Sequence, residues 1–113
     1  MDFVKHFYQV FDTNRGELKT LYTNDSMLTF EGEQYQGVEN ILQKFASFGN
    51  VTHAIKSFDA QPSVDNGILA FVSGDLIIEG QENPLKFAEV FQLRPGGSAG
   101  YFCLNDMFRL NYG

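Results

Sequence analysis

Phe3, Phe7, Val10 and Phe11 recur at i, i+4, i+7 and i+8, the spacing that gathers apolar side chains into one stripe of a helix. Asp2 stands where a capping residue would start it, and Asp12-Thr13-Asn14 breaks the pattern. Residues 15–22 predict a second short helix that carries Leu18, Leu21 and Tyr22. Residues 27–30 and 34–36 predict two short strands about a turn at Glu31-Gly32-Glu33. Gly37 then opens a third helix, with Val38, Ile41, Leu42 and Phe45 on one face and Glu39, Asn40, Gln43 and Lys44 on the other.

From Val51 the period changes to that of strands. Predicted strands cover residues 51–59, ending near Pro62, then 68–79 after the turn signal Asp65-Asn66-Gly67, then 85–94, and 101–110 after Pro95-Gly96-Gly97. Helices first and an antiparallel meander after them predict an α+β domain with its helices on one sheet face. Two strands are apolar on both sides. Ile68, Ala70, Val72, Leu76 and Ile78 share one face while Leu69 and Phe71 project from the other. Phe102, Leu104, Phe108 and Leu110 share a face opposite Tyr101, Cys103 and Met107. A solvated antiparallel sheet alternates apolar with polar, so the outer face needs a cover, either a second copy in a two-fold dimer or the chain's own termini.

The 113 residues form a single domain by size, with 43% hydrophobic residues and twelve Phe to build a core. The formal net charge of -6 repels phosphate backbones, which argues against nucleic acid and toward a basic protein surface as partner. One cysteine, Cys103, cannot form an internal disulfide and reads as a core or interface residue in a reducing compartment. The longest apolar run, Ile68-Leu69-Ala70-Phe71-Val72, is far too short to span a bilayer. His6, Gln9 and Asp12 interrupt any signal-peptide pattern at the start.

Catalytic signatures are missing. His6 and His53 are too few and too scattered for a metal site. The loop Pro95-Gly96-Gly97-Ser98-Ala99-Gly100 has no Lys and no helix after it, so it reads as a hairpin turn. Glu31 and Glu33 sit in a turn, and Glu79-Gly80-Gln81-Glu82-Asn83 in a loop, where acids are ordinarily solvated. No metal, cofactor or catalytic residue is expected. The chain's most informative feature is a pair of segments, Leu28-Thr29-Phe30-Glu31-Gly32 and Asn105-Asp106-Met107-Phe108-Arg109-Leu110. Each sets a phenyl ring near a carboxylate, which suggests an apolar pocket with an acidic rim that grips one aromatic group.

Taken with Phe7-Tyr8-x-x-Phe11-Asp12-x-x-Arg15, Tyr35-Gln36-Gly37, Asp59-Ala60-Gln61-Pro62 and Gly74-Asp75-Leu76, these segments make the chain resemble the nuclear transport factor 2 family from Phe3 to Tyr112. The resemblance implies a cone-shaped α+β fold whose strongly bent antiparallel sheet wraps helices around a cavity. It implies a homodimer through the outer sheet face, with Phe71 and Met107 on the interface. It also implies a non-enzymatic import factor whose cavity mouth accepts an aromatic side chain from switch II of Ran-GDP. By position, Phe30 matches the ring at the mouth, Glu31 a rim glutamate, His53 a rim histidine and Phe108 a cavity wall, with Phe48, Val51 and Leu85 beside them. A second acidic patch falls to Glu79 and Glu82. Phe-x-Phe-Gly nucleoporins are the further partners implied, although the N-terminal segment that helps bind them in the family is not in these residues. Passage between cytoplasm and nucleus through the nuclear pore follows.

Cone folds of this kind also serve enzymes, ketosteroid isomerases and scytalone dehydratases among them, and dimerising peptide-binding adaptors. An enzyme would need hydrogen-bonded ionisable groups deep in the cavity. Tyr22, Tyr35 and Asp106 are the residues that could point inward.

Overall fold

The computed structural model describes residues 2–97 and 100–111. The N-terminal stripe becomes helix α1, Asp2–Thr13, which buries Phe3, Val4, Phe7, Tyr8 and Phe11. A 3₁₀ segment, Arg15–Leu21, follows and buries Leu18 and Leu21. Strand β1, Tyr22–Phe30, turns through Glu31-Gly32 into β2, Glu33–Gln36. Helix α2, Val38–Ala46, buries Ile41 and Phe45. Four long strands complete the chain: β3 Val51–Pro62, β4 Ile68–Ile78, β5 Leu85–Pro95 and β6 Tyr101–Asn111. The side chain of Asp2, expected as a cap, and Ser98-Ala99 of the glycine-rich loop lie outside the described residues.

All six strands belong to one sheet in the order β2-β1-β6-β5-β4-β3. The α+β class agrees with the pattern of hydrophobic periods, but the sheet is mixed and not wholly antiparallel. β3 to β6 form the antiparallel meander, while β1 lies parallel to β6. The parallel pairing needs a long crossover, supplied here by everything between the two strands. β1 also starts at Tyr22, five residues before the expected strand. An irregularity after Tyr22 separates its pairing with Cys103 from that of Met27 with Asn105. Ser26 fills the gap, accepting a hydrogen bond from Thr23 N–H at 2.8 Å and donating to the Cys103 carbonyl at 2.6 Å.

Two bulges shape the sheet. In β3 Ile55 pairs with Gly74 and Ser57 with Ser73, leaving Lys56 extra. Gly74 permits this close approach, since a Cβ there would lie 2.1 Å from the Ala54 carbonyl oxygen. In β6 Asn105 pairs with Gln92 and Cys103 with Leu93, leaving Leu104 extra. That bulge reverses the alternation and corrects the expected faces: Cys103 is fully buried on the core side with Asp106 and Phe108, so Phe102 and Leu104 do not share the Phe108 face. One extra residue per bulge bends the strand and raises its twist, and the sheet curls around α1, α2 and an aromatic core. Phe7 is the centre of that core, its ring 4.9 Å from Phe91 and 5.3 Å from Tyr8.

Candidate functional site: an aromatic cavity with a buried acid pair

The two informative segments lie side by side. β1 and β6 pair in register, with Leu28 against Asp106, Thr29 against Met107 and Phe30 against Phe108. The Phe30 and Phe108 rings stack 4.7 Å apart and 2° from parallel, and Phe87 continues the stack 5.5 Å beyond Phe108. Phe48, on the loop after α2, meets the Phe30 ring at 4.9 Å. Phe30, Phe48 and Phe108, with Phe11, Phe45, Val51, Leu76, Ile78 and Leu110, wall a cavity of about 360 Å³. Ser47 and Gly49, both exposed, line it toward solvent.

Arg15 holds the Phe48 loop in place. Its guanidinium donates to the carbonyls of Phe45 at 2.9 Å, Phe48 at 3.0 Å and Gly49 at 2.9 Å, and lies over the Phe11 ring. A cation that collects the open carbonyls at a helix C-terminus satisfies them and complements the helix dipole. Burial lowers the Arg15 pKa, and the Asp12 carboxylate opposes that shift. Asp12 also fixes His53. It accepts the His53 backbone N–H at 2.8 Å, and its other oxygen lies 2.7 Å from the ring Nδ1. The His53 side chain is only 4% exposed and lines the cavity. It is therefore a wall residue and not the rim residue its position had implied.

Glu31 occupies the left-handed region at φ 51°, with Gly32 at 87°. Two positive φ values in succession mark a tight hairpin turn. The turn feeds the Glu31 N–H to the Phe108 carbonyl at 3.1 Å, and the Glu31 carboxylate accepts the Leu110 N–H. Glu31 thus flanks the mouth beside Phe30, Phe108 and Leu110. Its neighbour Glu33 is exposed and paired with Lys44 at 3.8 Å, whose ammonium lies over the rings of Phe30, Tyr35 and Phe48. Across the mouth, Glu79 accepts a hydrogen bond from the Asn50 amide at 2.7 Å, beside Gly49 and Val51. Glu82 is exposed on the following loop. Leu85 pairs with Leu76 at the end of β4 and β5 and is not among the residues lining the cavity. Cavity walls therefore unite Phe30, Phe48, Val51, His53 and Phe108, the rim adds Glu31 and Glu79, and Leu85 and Glu82 stand apart.

Asp106, the carboxylate of the second segment, is not on the rim. It is 1% exposed and accepts a hydrogen bond from the Tyr22 hydroxyl at 2.7 Å. Beside it lies Glu89, 3% exposed, which accepts one from the Tyr8 hydroxyl at 2.8 Å and lines the cavity. Sequence reasoning passed over Glu89 and Tyr8, although Phe87, Glu89 and Phe91 share the inward face of β5 by simple alternation. Burial, and then the neighbouring Asp106 charge, push the Glu89 carboxyl well above its usual range. Burial also raises Asp106, while hydrogen bonds from Glu89 and Tyr22 hold it lower. Asp106 Oδ1 meets no N–H or hydroxyl donor, so a hydrogen bond between the two acids requires a proton on one of them. Two buried carboxyls this close do not both ionise, and the pair titrates as a unit. Burial, reinforced by Asp106, likewise raises the Cys103 thiol, which leaves it unreactive.

The outer sheet face carries an apolar row. Phe71 pairs with Val90, and Val90 with Met107, and Phe71 and Met107 are 49% and 52% exposed. No described terminal residue covers them. Among the described residues, no group of three His, Cys, Asp or Glu could hold a metal ion, and no helix is long and apolar enough to cross a membrane.

Residues 1–110 match the family model of the nuclear transport factor 2 domain. The chain belongs to that family. Nuclear transport factor 2 of Oryza sativa subsp. japonica is 50% identical over 114 residues, covering 98% of this chain and 93% of the relative. The Saccharomyces cerevisiae protein of the same name is 46% identical, covering 98% and 90%. The solved structure of nuclear transport factor 2 from Cryptosporidium parvum superposes with a TM-score of 0.90 at 49% identity, over 97% of this chain and 90% of that one. That nuclear transport factor 2 structure shares the overall fold described above.

Proposed function

We propose that this protein is a non-enzymatic nuclear transport factor that binds Ran-GDP and carries it through the nuclear pore, passing between cytoplasm and nucleus. One observation carries the reading: a phenyl-walled cavity opens beside Glu31, whose carboxylate is held at the mouth by the Leu110 N–H. An aromatic side chain of switch II enters the socket formed by Phe30, Phe48, Val51, His53 and Phe108. Glu31 and Glu79 receive the basic residues around it, with Glu82 and Leu85 at the periphery of the contact. An aromatic anchor ringed by charge-assisted contacts is the usual layout of a binding hot spot, where one truncation costs about 2 kcal/mol or more, and the acidic rim speeds encounter. Selectivity for the GDP state follows if switch II presents its ring only after loss of the γ-phosphate contacts. The apolar row of exposed Phe71 and Met107 with half-buried Val90 between them supports a homodimer through the outer sheet face, and nucleoporins with Phe-x-Phe-Gly repeats complete the set of partners.

Replacing Glu31 with Lys tests the site. Calorimetry is expected to show no binding of Ran-GDP by Glu31→Lys, with thermal unfolding close to that of the unmodified protein. Unchanged affinity removes Glu31 from the contact. A pull-down in which Ran-GTP is retained as well as Ran-GDP overturns the carrier reading itself.

A further inference from the structure

The cavity is larger than one aromatic side chain requires. A void of about 150 Å³ lined by Leu, Ile and Phe holds benzene, whereas this one measures about 360 Å³, within the range of small-molecule pockets. Inside Ser47 and Gly49, the polar residues that line it are His53 and Glu89. A carboxyl buried to 3% exposure is costly where an apolar side chain of the same size would pack as well. Inside the protein it meets the Tyr8 hydroxyl and its neighbour Asp106.

Burial raises both acids of the pair, and the Tyr8 and Tyr22 hydroxyls donate to its two members. A neutral donor meets such a pair without the cost of burying a further ion. A carboxyl oxygen has two lone pairs, so Glu89 can accept a second donor in addition to Tyr8. The geometry points to a second occupant of this cavity: a neutral, flat, bicyclic small molecule bearing one hydroxyl group. Its rings lie against the phenyl walls at Phe45 and Phe108, and its hydroxyl donates to Glu89. No bond is made or broken. The inference holds whether or not a protein partner uses the same mouth, and it is tested on this protein alone.

The probes are 2-naphthol and its methyl ether, 2-methoxynaphthalene, which has the same rings without a donor. Each is titrated into the protein and followed by amide chemical shifts. Expected are shifts at Val51, Leu76 and Phe108, and an affinity for 2-naphthol about tenfold above that for the ether, the size of one hydrogen bond. Glu89→Gln keeps an acceptor oxygen at the same place and retains the preference, whereas Glu89→Leu loses it. Equal affinity of the two compounds for the unmodified protein overturns the inference. So does a preference that survives in Glu89→Leu, a set of shifts confined to the outer face around Phe71 and Met107, or no binding up to the solubility limit of 2-naphthol. Should Glu89→Leu fail to fold, the comparison of the two probes on the unmodified protein decides.

Discussion

Glu89 and Asp106 make the stability of this protein depend on pH in an unusual direction. Most carboxylates that matter to a fold are held down in pKa and lose their contribution in acid. These two are raised by burial, so the folded state keeps a proton that the unfolded chain releases above about pH 4.3. The sign follows from linkage. Where the folded state binds more protons, unfolding free energy falls as pH rises, by up to about 1.4 kcal/mol per pH unit for one proton. The contribution is complete below the unfolded value and is lost as pH rises through the folded pair's own pKa. Urea denaturation between about pH 5 and pH 7 should show this fall. Glu89→Gln, whose amide donates to Asp106 at any pH, should flatten it relative to the unmodified protein. Parallel pH profiles for the two would show that the pair carries no extra proton. Single residues were the least legible scale of the sequence. Phe30, Phe108 and Glu31 announce themselves by composition, but Glu89 reads as one more charged residue until β5 is known to present its side chain inward. The Asp12–His53 contact joins residues 41 positions apart and leaves no local trace.

The elements were far more legible, because their periods are set by which side chains face the core. α1, α2 and the four long strands stand within a few residues of where apolar spacing puts them. Departures occur where a backbone irregularity intervenes. Leu104 adds one residue to β6, and a period of two cannot survive an odd insertion, so Phe102 and Leu104 exchange faces with Tyr101 and Cys103. β1 begins ahead of the expected residues 27–30 because Thr23, Asn24, Asp25 and Ser26, polar and without an apolar period, belong to it. They are the stretch whose ladder is interrupted and whose polar side chains fill the gap. Gly74 marks the other irregularity. A methyl group at that position would collide with the Ala54 carbonyl, and neither backbone can retreat without opening the β3–β4 ladder. Gly74→Ala is expected to cost about 2–3 kcal/mol, as overpacking at a rigid contact does, measured by chemical denaturation. A loss below about 0.5 kcal/mol, the range of an ordinary surface change, would show that the bulge at Lys56 is free to relax.

At the scale of the whole molecule, the sheet has a concave side that closes over helices and a convex side that is left half apolar. The sequence made this visible through strands that are apolar on both faces. It could not show that Phe71, Val90 and Met107 fall in one row, since that depends on the register of three strands. A second copy covering the row predicts a dimer. Met107→Arg places a charge in the row beside Val90 and should yield a monomer in sedimentation equilibrium at micromolar concentration, with the cavity intact. A monomer for the unmodified protein under the same conditions would leave the row for some other surface.

The pairing of β1 with β6 has a consequence for how the chain is made. Leu28 and Phe30 have partners on one side about eighty positions downstream, so on the ribosome the inner strand emerges with only β2 beside it and its other edge unpaired. Only when the final strand leaves the exit tunnel can the sheet zip shut, and contacts of such long range form slowly. During that interval the growing polypeptide presents an unpaired apolar border, the kind of surface that holdase chaperones cover in nascent proteins.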